Sequence, residues 1–404
     1  MQRQTSHAAS AYSPLYFLAS LGAGGLAVTF FMYLMFWVPH PGRPVPVFED
    51  LAQVIAGGSL PLQIAVIVAM VGIAIFASLN IALLVWNLRA FARFKQTEAH
   101  STLTSSNAES AKLAMPLALA MSVNAMFIVG MVFVPGLWSI VEYLFPAALV
   151  AFLAIGVLAM RQIGEFLGRI LSTPGAFSVE GHNSFAQMLP AFALSMIAVG
   201  LSAPAAMSVT PAVAGTAVIL STLFGTAAVI YALFAAITGL NAMLSHGTAR
   251  EAGPTLMVIV PLMTVLGIMS LRQTHGLDGL GDSHTAATDN LLFLTRLLAI
   301  QLVFLALGLL VLKRQNYFGD FVFGSNLSAG SYALVCPGVA LSVMLHFWIN
   351  KGLVATGMIT KFSVVYWGLT GIALVLQFAM IALVVRLHRQ HFQAGRAPVA
   401  VPGE

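Results

Sequence analysis

Charged residues are scarce in this chain. Asp, Glu, Lys and Arg together make up 8% of it, while 59% is hydrophobic. A soluble domain needs a mostly polar surface, so this balance excludes one. The fold class is an all-α polytopic membrane protein. Cysteine is almost absent too. The single thiol, Cys336, excludes a disulfide framework and any cysteine-built metal cluster within one chain. No glycine-rich phosphate loop, Ser-His-Asp arrangement or zinc-protease motif occurs. Paired histidines deep in facing apolar runs are also missing, which argues against a haem-carrying anchor, and no cofactor is expected. The net charge of +5 does not imply nucleic-acid binding, because the basic residues gather in loops on one side. Met1–Ser13 is short and polar and leads into a long apolar run without a convincing cleavage site. That run reads as a retained first helix.

What the chain has in abundance is apolar length. Hydropathy predicts ten spans, at 14–38, 60–88, 113–135, 138–162, 186–207, 211–237, 254–272, 290–312, 329–350 and 362–386. The loops after the odd-numbered spans hold four basic residues, Arg43, Arg272, Lys351 and Lys361, and the termini and remaining loops hold thirteen. This split predicts both termini in the cytoplasm of a bacterial-type inner membrane. The expected organisation is a cytoplasmic segment 1–13, one ten-helix domain 14–386 and a cytoplasmic tail 387–404. Arg89–Lys112 reads as a polar linker, and Gly164–Leu171 as a short amphipathic helix in the interface.

The odd spans share a pattern. Pro337, Ala340 and Ser342 in span nine match Pro190, Ala193 and Ser195 in span five. Looser copies are Pro116 with Ser122, Pro14 with Ser20, and Pro261 with Thr264. Proline removes a donor and clashes with the preceding turn, so Pro116, Pro190, Pro261 and Pro337 predict bends. Tight turns at 134–136 and 208–211 join odd spans to their even successors. The pattern predicts five helical hairpins, with the odd helices as an inner ring and the even helices as an outer ring.

Ten spans, cytoplasmic termini and proline-bearing odd helices resemble the TehA-type tellurite-resistance and C4-dicarboxylate transporter family, which includes plant guard-cell anion channels. The likeness is architectural and covers about residues 14–386. It implies five hairpins around a central pore, a pore-plugging phenylalanine on the ninth helix, and a homotrimer. Here the corresponding stretch reads Leu341, Ser342, Val343, Met344, Leu345, and phenylalanine first occurs at Phe347 near the outer end. The plug therefore does not carry over. The Cys-Pro pair of span nine is similar to a bacterial TsoY-like branch with selenocysteine-containing members, and this likeness implies that Cys336 is the corresponding position.

Several residues carry two readings. Ser20, Ser122, Ser195, Thr264 and Ser342 are candidate pore-lining donors, because uncharged hydroxyls replace part of an anion's hydration shell without trapping it. Alternatively they bond back to their own helix or serve helix packing. Asn124 lines the path or joins neighbouring helices. His346 is a pH-sensitive mouth residue or an interfacial histidine in an aromatic belt. Cys336 is a reactive thiol or a small apolar filler. Glu142 and Arg296 are the intramembrane charges and are expected to pair, with Asp289 as the rival partner of Arg296. His275, Asp278, Asp282, His284 and Asp289 are metal-binding residue types, but their spacing matches no metal motif and reads as a solvated loop. The expected function is membrane transport of a small anion, an oxyanion, a sulfite-like species or a C4-dicarboxylate. The positive cytoplasmic side suits export. The expected partners are membrane lipid and that anion. The competing expectation is a membrane-embedded thiol enzyme built on Cys336, or an anchor subunit of a redox complex.

Overall fold

The computed structural model describes residues 12–178, 183–280 and 285–392. Among these residues the chain is helical, without strands, and ten helices are long and apolar enough to cross a membrane. They are α1 (Pro14–Trp37), α2 (Leu60–Phe94), α3 (Asn107–Phe133), α4 (Leu137–Ser172), α5 (Ala186–Met207), α6 (Pro211–His246), α7 (Gly253–Gly279), α8 (Ala287–Arg314), α9 (Ala329–Val354) and α10 (Val364–Phe392). This is the make-up of a multi-pass membrane protein. The even helices outrun the hydropathic spans, because their ends extend with polar residues. Gly164–Leu171 is accordingly not a separate interfacial helix but the last turns of α4. The linker after α2 is largely helical, with a short helix at Glu98–Thr104 and the opening turn of α3 at Asn107–Leu113. Of the expected terminal segments, 1–11 and 393–404 lie outside the described residues. α10 itself runs past 386 to Phe392.

Burial alternates along the chain. In the odd-numbered helices 50 to 94% of the most apolar window is buried, against 22 to 39% in the even-numbered ones. The even helices expose rows of aliphatic side chains, such as Ile64, Ile67 and Val71 on α2, which only a lipid surround makes economical. Helix contacts follow the same alternation. α1 packs on α3, α3 on α5, α5 on α7, α7 on α9, and α9 on α1. Each even helix packs between the odd helix before it and the one after it, with α10 reaching α1.

Every odd helix opens on a 3-10 turn, at Pro14–Tyr16, Asn107–Leu113, Ala186–Met188, Gly253–Met257 and Ala329–Leu334. The α-helical part follows within one residue. Pro116, Pro190, Pro261 and Pro337 stand at its second or third position. The prolines expected as mid-span bends thus mark the junction between a tight turn and an α-helix. A first-turn position has no α-helical partner for its N–H, so proline costs nothing there. α5 is broken a second time at Ser202 and resumes at Ala203–Met207 with Pro204.

Buried polar side chains lock odd helices to even ones. The Ser20 hydroxyl donates to the Asn80 carbonyl at 2.9 Å, and Asn80 Nδ2 donates back to the Ser20 carbonyl at 2.8 Å. Gln301 Nε2 on α8 donates to Thr264 Oγ1 at 2.6 Å and to the Val260 carbonyl at 2.8 Å. Ser342 donates to the Ala373 carbonyl of α10 at 2.8 Å, and the Tyr33 hydroxyl to Gln377 Oε1 at 2.7 Å. Lipid offers these groups no partners, so the protein must supply them. Close approach also needs small residues on α1. A Cβ on Gly24 would meet Met121 Cγ at 2.7 Å and Asn80 Nδ2 at 3.0 Å, and one on Gly25 would meet Val339 Cγ1 at 2.8 Å.

Candidate functional site

A cavity of about 970 Å³ lies among the odd helices. All five contribute to its wall, including Gly25 of α1, Asn124 of α3, Phe192 of α5, Thr264 of α7 and Cys336 of α9. None of the five 3-10 turns lines it among the described residues, so these turns lie beneath its deep end. At the C-terminal ends of the odd helices the lining includes Asp278 of α7 and reaches the connecting segments with His40, Arg43 and Lys361. The opposite ends are filled by aromatic side chains. The Tyr16 hydroxyl lies 3.0 Å from His391 Nδ1, and the Tyr332 ring packs on His391 at 5.4 Å between centroids.

The wall is mostly phenylalanine, methionine and aliphatic side chains, which makes its few charges decisive. Arg43, Arg272, Lys351 and Lys361, the four basic residues of the sparsely charged loops, all line this one cavity. They are not equivalent. Arg43 forms an ion pair with the buried Asp50 carboxylate. Lys351 and Lys361 are exposed at the mouth, and partial desolvation draws the Lys361 ammonium below the usual lysine range. Arg272 is half-buried in the wall. Hydropathy ends the seventh span at this residue, but α7 continues to Gly279, so Arg272 belongs to the helix and not to a loop. Its Nη1 donates to the Val199 carbonyl at 2.8 Å, just before the break of α5. The Ser202 hydroxyl donates to the same oxygen at 2.8 Å. A broken helix end presents carbonyls without helical partners, and a guanidinium satisfies them well. Among the described residues no carboxylate lies within ion-pair distance of Arg272. A planar cation with donors to spare, facing an apolar space, is suited to meet an anion.

Of the residues singled out in the sequence, Asn124, Pro261, Thr264, His275, Asp278 and Cys336 line the cavity. Ser20, Ser122, Ser195, Ser342, Pro337 and His346 lie off it. Helix packing accounts for the serines. Ser20 and Ser342 bond to α2 and α10, while Ser122 and Ser195 donate to their own helices, at the Ala118 carbonyl (2.9 Å) and the Phe192 carbonyl (2.8 Å). Even inside the cavity, Thr264 donates to the Ala340 carbonyl at 3.0 Å, and Asn124 Nδ2 to the Ala120 carbonyl at 3.1 Å. The residues missed in the sequence are Arg272, Asn80, Gln301 and Gln377. A long amide in an otherwise apolar even span, and an arginine level with the Ser-Ala-Pro break of its neighbour, were the available signals.

The expected Glu142–Arg296 ion pair is not formed. Glu142 instead caps the turn between α5 and α6, accepting from Val209 N at 2.9 Å, Ser208 Oγ at 2.7 Å and Thr210 Oγ1 at 3.0 Å. Arg296 is exposed on α8 and pairs with no carboxylate among the described residues, Asp289 included. Loss of three acceptor contacts should make Glu142→Ala destabilising by roughly 1 kcal/mol. Arg296→Ala should leave the melting temperature in detergent unchanged, whereas equal losses in the two variants would restore the pair. Of the residues read as one solvated loop, His275 and Asp278 belong to α7 and Asp289 to the first turn of α8, while Asp282 and His284 lie outside the described residues. No group of three metal-ligating side chains gathers among the described ones. The sequence matches no protein-family model, and no curated protein matches it significantly, so a functional reading rests on this cavity.

Proposed function

We propose that the protein transports a small anion across the membrane through this cavity. In this reading the five odd helices form an inner ring, the five even helices an outer ring, and each odd–even pair moves as a hairpin. The carrying observation is that Arg43, Arg272, Lys351 and Lys361 converge on one apolar cavity walled by all five odd helices. Lys351 and Lys361 concentrate anions at the mouth, and Arg272 meets them inside, exchanging its carbonyl partner for the anion. With both termini in the cytoplasm, the mouth faces outward and the layer at Tyr16, Tyr332 and His391 is the closed inner side. The substrate is an oxyanion, a sulfite-like species or a C4-dicarboxylate. Flux of radiolabelled sulfite, tellurite and succinate into proteoliposomes is the test. At least one should move, and none moving through a folded preparation rejects the reading.

One observation favours a second reading, a thiol-based redox enzyme: Cys336 is half-buried on the cavity wall, where a solute can reach it. The two readings part on a single substitution. Transport predicts that Cys336→Ser changes flux by less than about threefold, the equivalent of ~0.7 kcal/mol. A bulky thiol reagent added to the wild type should still block the path. An enzyme would lose its activity entirely with Cys336→Ser.

A further inference from the structure

Behind the cavity wall, between α1 and α9, sits a histidine that the transport path above leaves unused. His346 is fully buried, and neither Nδ1 nor Nε2 has a hydrogen-bond partner. Two unpaired ring nitrogens are an expense that a phenylalanine or leucine of similar size would avoid. Its neighbours are three rings of α1. Phe36 lies parallel to the imidazole, with centroids 6.3 Å apart and planes 8° apart. Tyr33 lies at 6.2 Å and Trp37 at 6.3 Å, both inclined to it. Aromatic faces gathered around a nitrogen heterocycle suit its cationic form.

The box has one thin side. Phe36 both covers His346 and lines the cavity, and it is held edge-on by Phe347, another lining residue, at 5.3 Å. Asn350, one turn beyond the histidine, also lines the cavity, and its Nδ2 donates to the His346 carbonyl at 2.8 Å. Phe36 therefore borders both the unpaired imidazole and the space that Arg272 lines. The other titratable groups at this end are accounted for. Tyr33 of α1 donates to Gln377, and Tyr366 of α10 donates to Asn350 Oδ1 at 3.1 Å. α7 contributes Arg272, His275 and Asp278, α8 contributes Asp289 and Arg296, α9 itself contributes Lys351, and the neighbouring connecting segments contribute His40, Arg43 and Lys361. None of these ion-pairs with His346.

We infer that His346 is a proton-binding site coupled to anion occupancy of the cavity. When Phe36 turns aside, the imidazole takes a proton from cavity water, and the imidazolium adds a further positive charge beside the cavity that Arg272 lines. A buried imidazolium without solvent or counter-ion is costly, so wetting by the open ring and an anion in the cavity both favour it. Linkage makes the effect mutual: the anion raises proton affinity by the factor by which the proton raises anion affinity. Proton and anion would then cross together. This inference rests on the anion reading of the cavity, but its test does not need transport.

The test follows ring-labelled histidine by NMR in nanodiscs, with the His346 resonance identified by its loss in His346→Gln. Titration runs from about pH 5 to 8, where an accessible imidazole changes charge. Nitrate is the probe, because it does not itself titrate there, and gluconate is the bulky control. The His346 resonance should titrate, with nitrate raising its midpoint by about 0.5 unit or more, a threefold coupling. Phe36→Ala, which removes the cover, should titrate more readily. A resonance that stays flat in both the wild type and Phe36→Ala overturns the site, and a midpoint indifferent to nitrate overturns the coupling. Anion flux alongside a flat His346 rejects this inference alone. A titrating, nitrate-sensitive His346 in a protein that moves no anion supports the site and rejects the transport reading.

Discussion

Replacing Arg272 by glutamine should lower anion flux by about 10- to 100-fold, the loss expected when one charge-assisted contact of ~1.5–3 kcal/mol disappears from the path. The size follows from position. Two unit charges 4 Å apart attract by roughly 1 kcal/mol in bulk water but about 4 kcal/mol at the effective dielectric of a half-buried site. Lys351 and Lys361 are exposed, so Lys351→Gln or Lys361→Gln should each cost less than about threefold, and that loss should vanish in high salt. Arg43 already has Asp50 as its partner and should behave like the lysines. The Val199 carbonyl keeps the Ser202 hydroxyl when Arg272 is gone, so the helix break does not lose its only donor. Arg272→Lys keeps the charge but not the planar fork, and should fall between the wild type and Arg272→Gln. Radiotracer uptake at matched protein density measures the series. Flux equal to wild type in Arg272→Gln would remove the arginine from the path.

Substituting Gly24 by valine should destabilise the protein by about 3 kcal/mol or more, combining overpacking with the loss of a buried hydrogen-bond pair. Even a bare Cβ there would sit 2.7 Å from Met121 Cγ and 3.0 Å from Asn80 Nδ2. Those atoms belong to α3 and α2, so one side chain pushes α1 from two neighbours at once. The displaced Asn80 is the residue whose amide holds the Ser20 carbonyl. Gly215 is the control, because a Cβ there meets nothing within 4 Å and the position is a partly exposed helix interior on α6. Gly215→Ala should hold or raise stability by about 0.5–1 kcal/mol. Melting in detergent, followed by aggregation or tryptophan emission, reports both. A Gly24→Val protein that melts with the wild type would mean that α1 does not approach α2 and α3 this closely.

The spans were legible because each rests on composition alone. Twenty or so apolar residues cross the bilayer whatever their partners. The contrast between odd and even helices was legible as well, since proline collected in the helices that turned out to be buried. What the hydroxyls do was not legible. Ser122 and Ser195 satisfy themselves on the preceding turn, a choice that depends on rotamer and crowding and not on spacing. Ser20 and Ser342 answer to Asn80 and Ala373, residues 60 and 31 positions away. Glu142 and Arg296 were matched by depth, whereas α4 carries its carboxylate to the α5–α6 turn directly beside it. Arg272 was hidden by the rule that found the spans, because a charge at the edge of an apolar run reads as the end of a helix. Its partner is a main-chain carbonyl, which no pattern of side chains reveals.

The contact between α9 and α1 sets an order on biosynthesis. The helix that completes the wall is the ninth to leave the ribosome, so until then the Gly22–Gly25 face of α1 lies open to lipid or to whatever the insertion machinery offers. Val335 and Val339 are the side chains that fill that groove. A nascent chain halted after eight helices would lack the α9 part of the cavity wall and the valines that cover this glycine face.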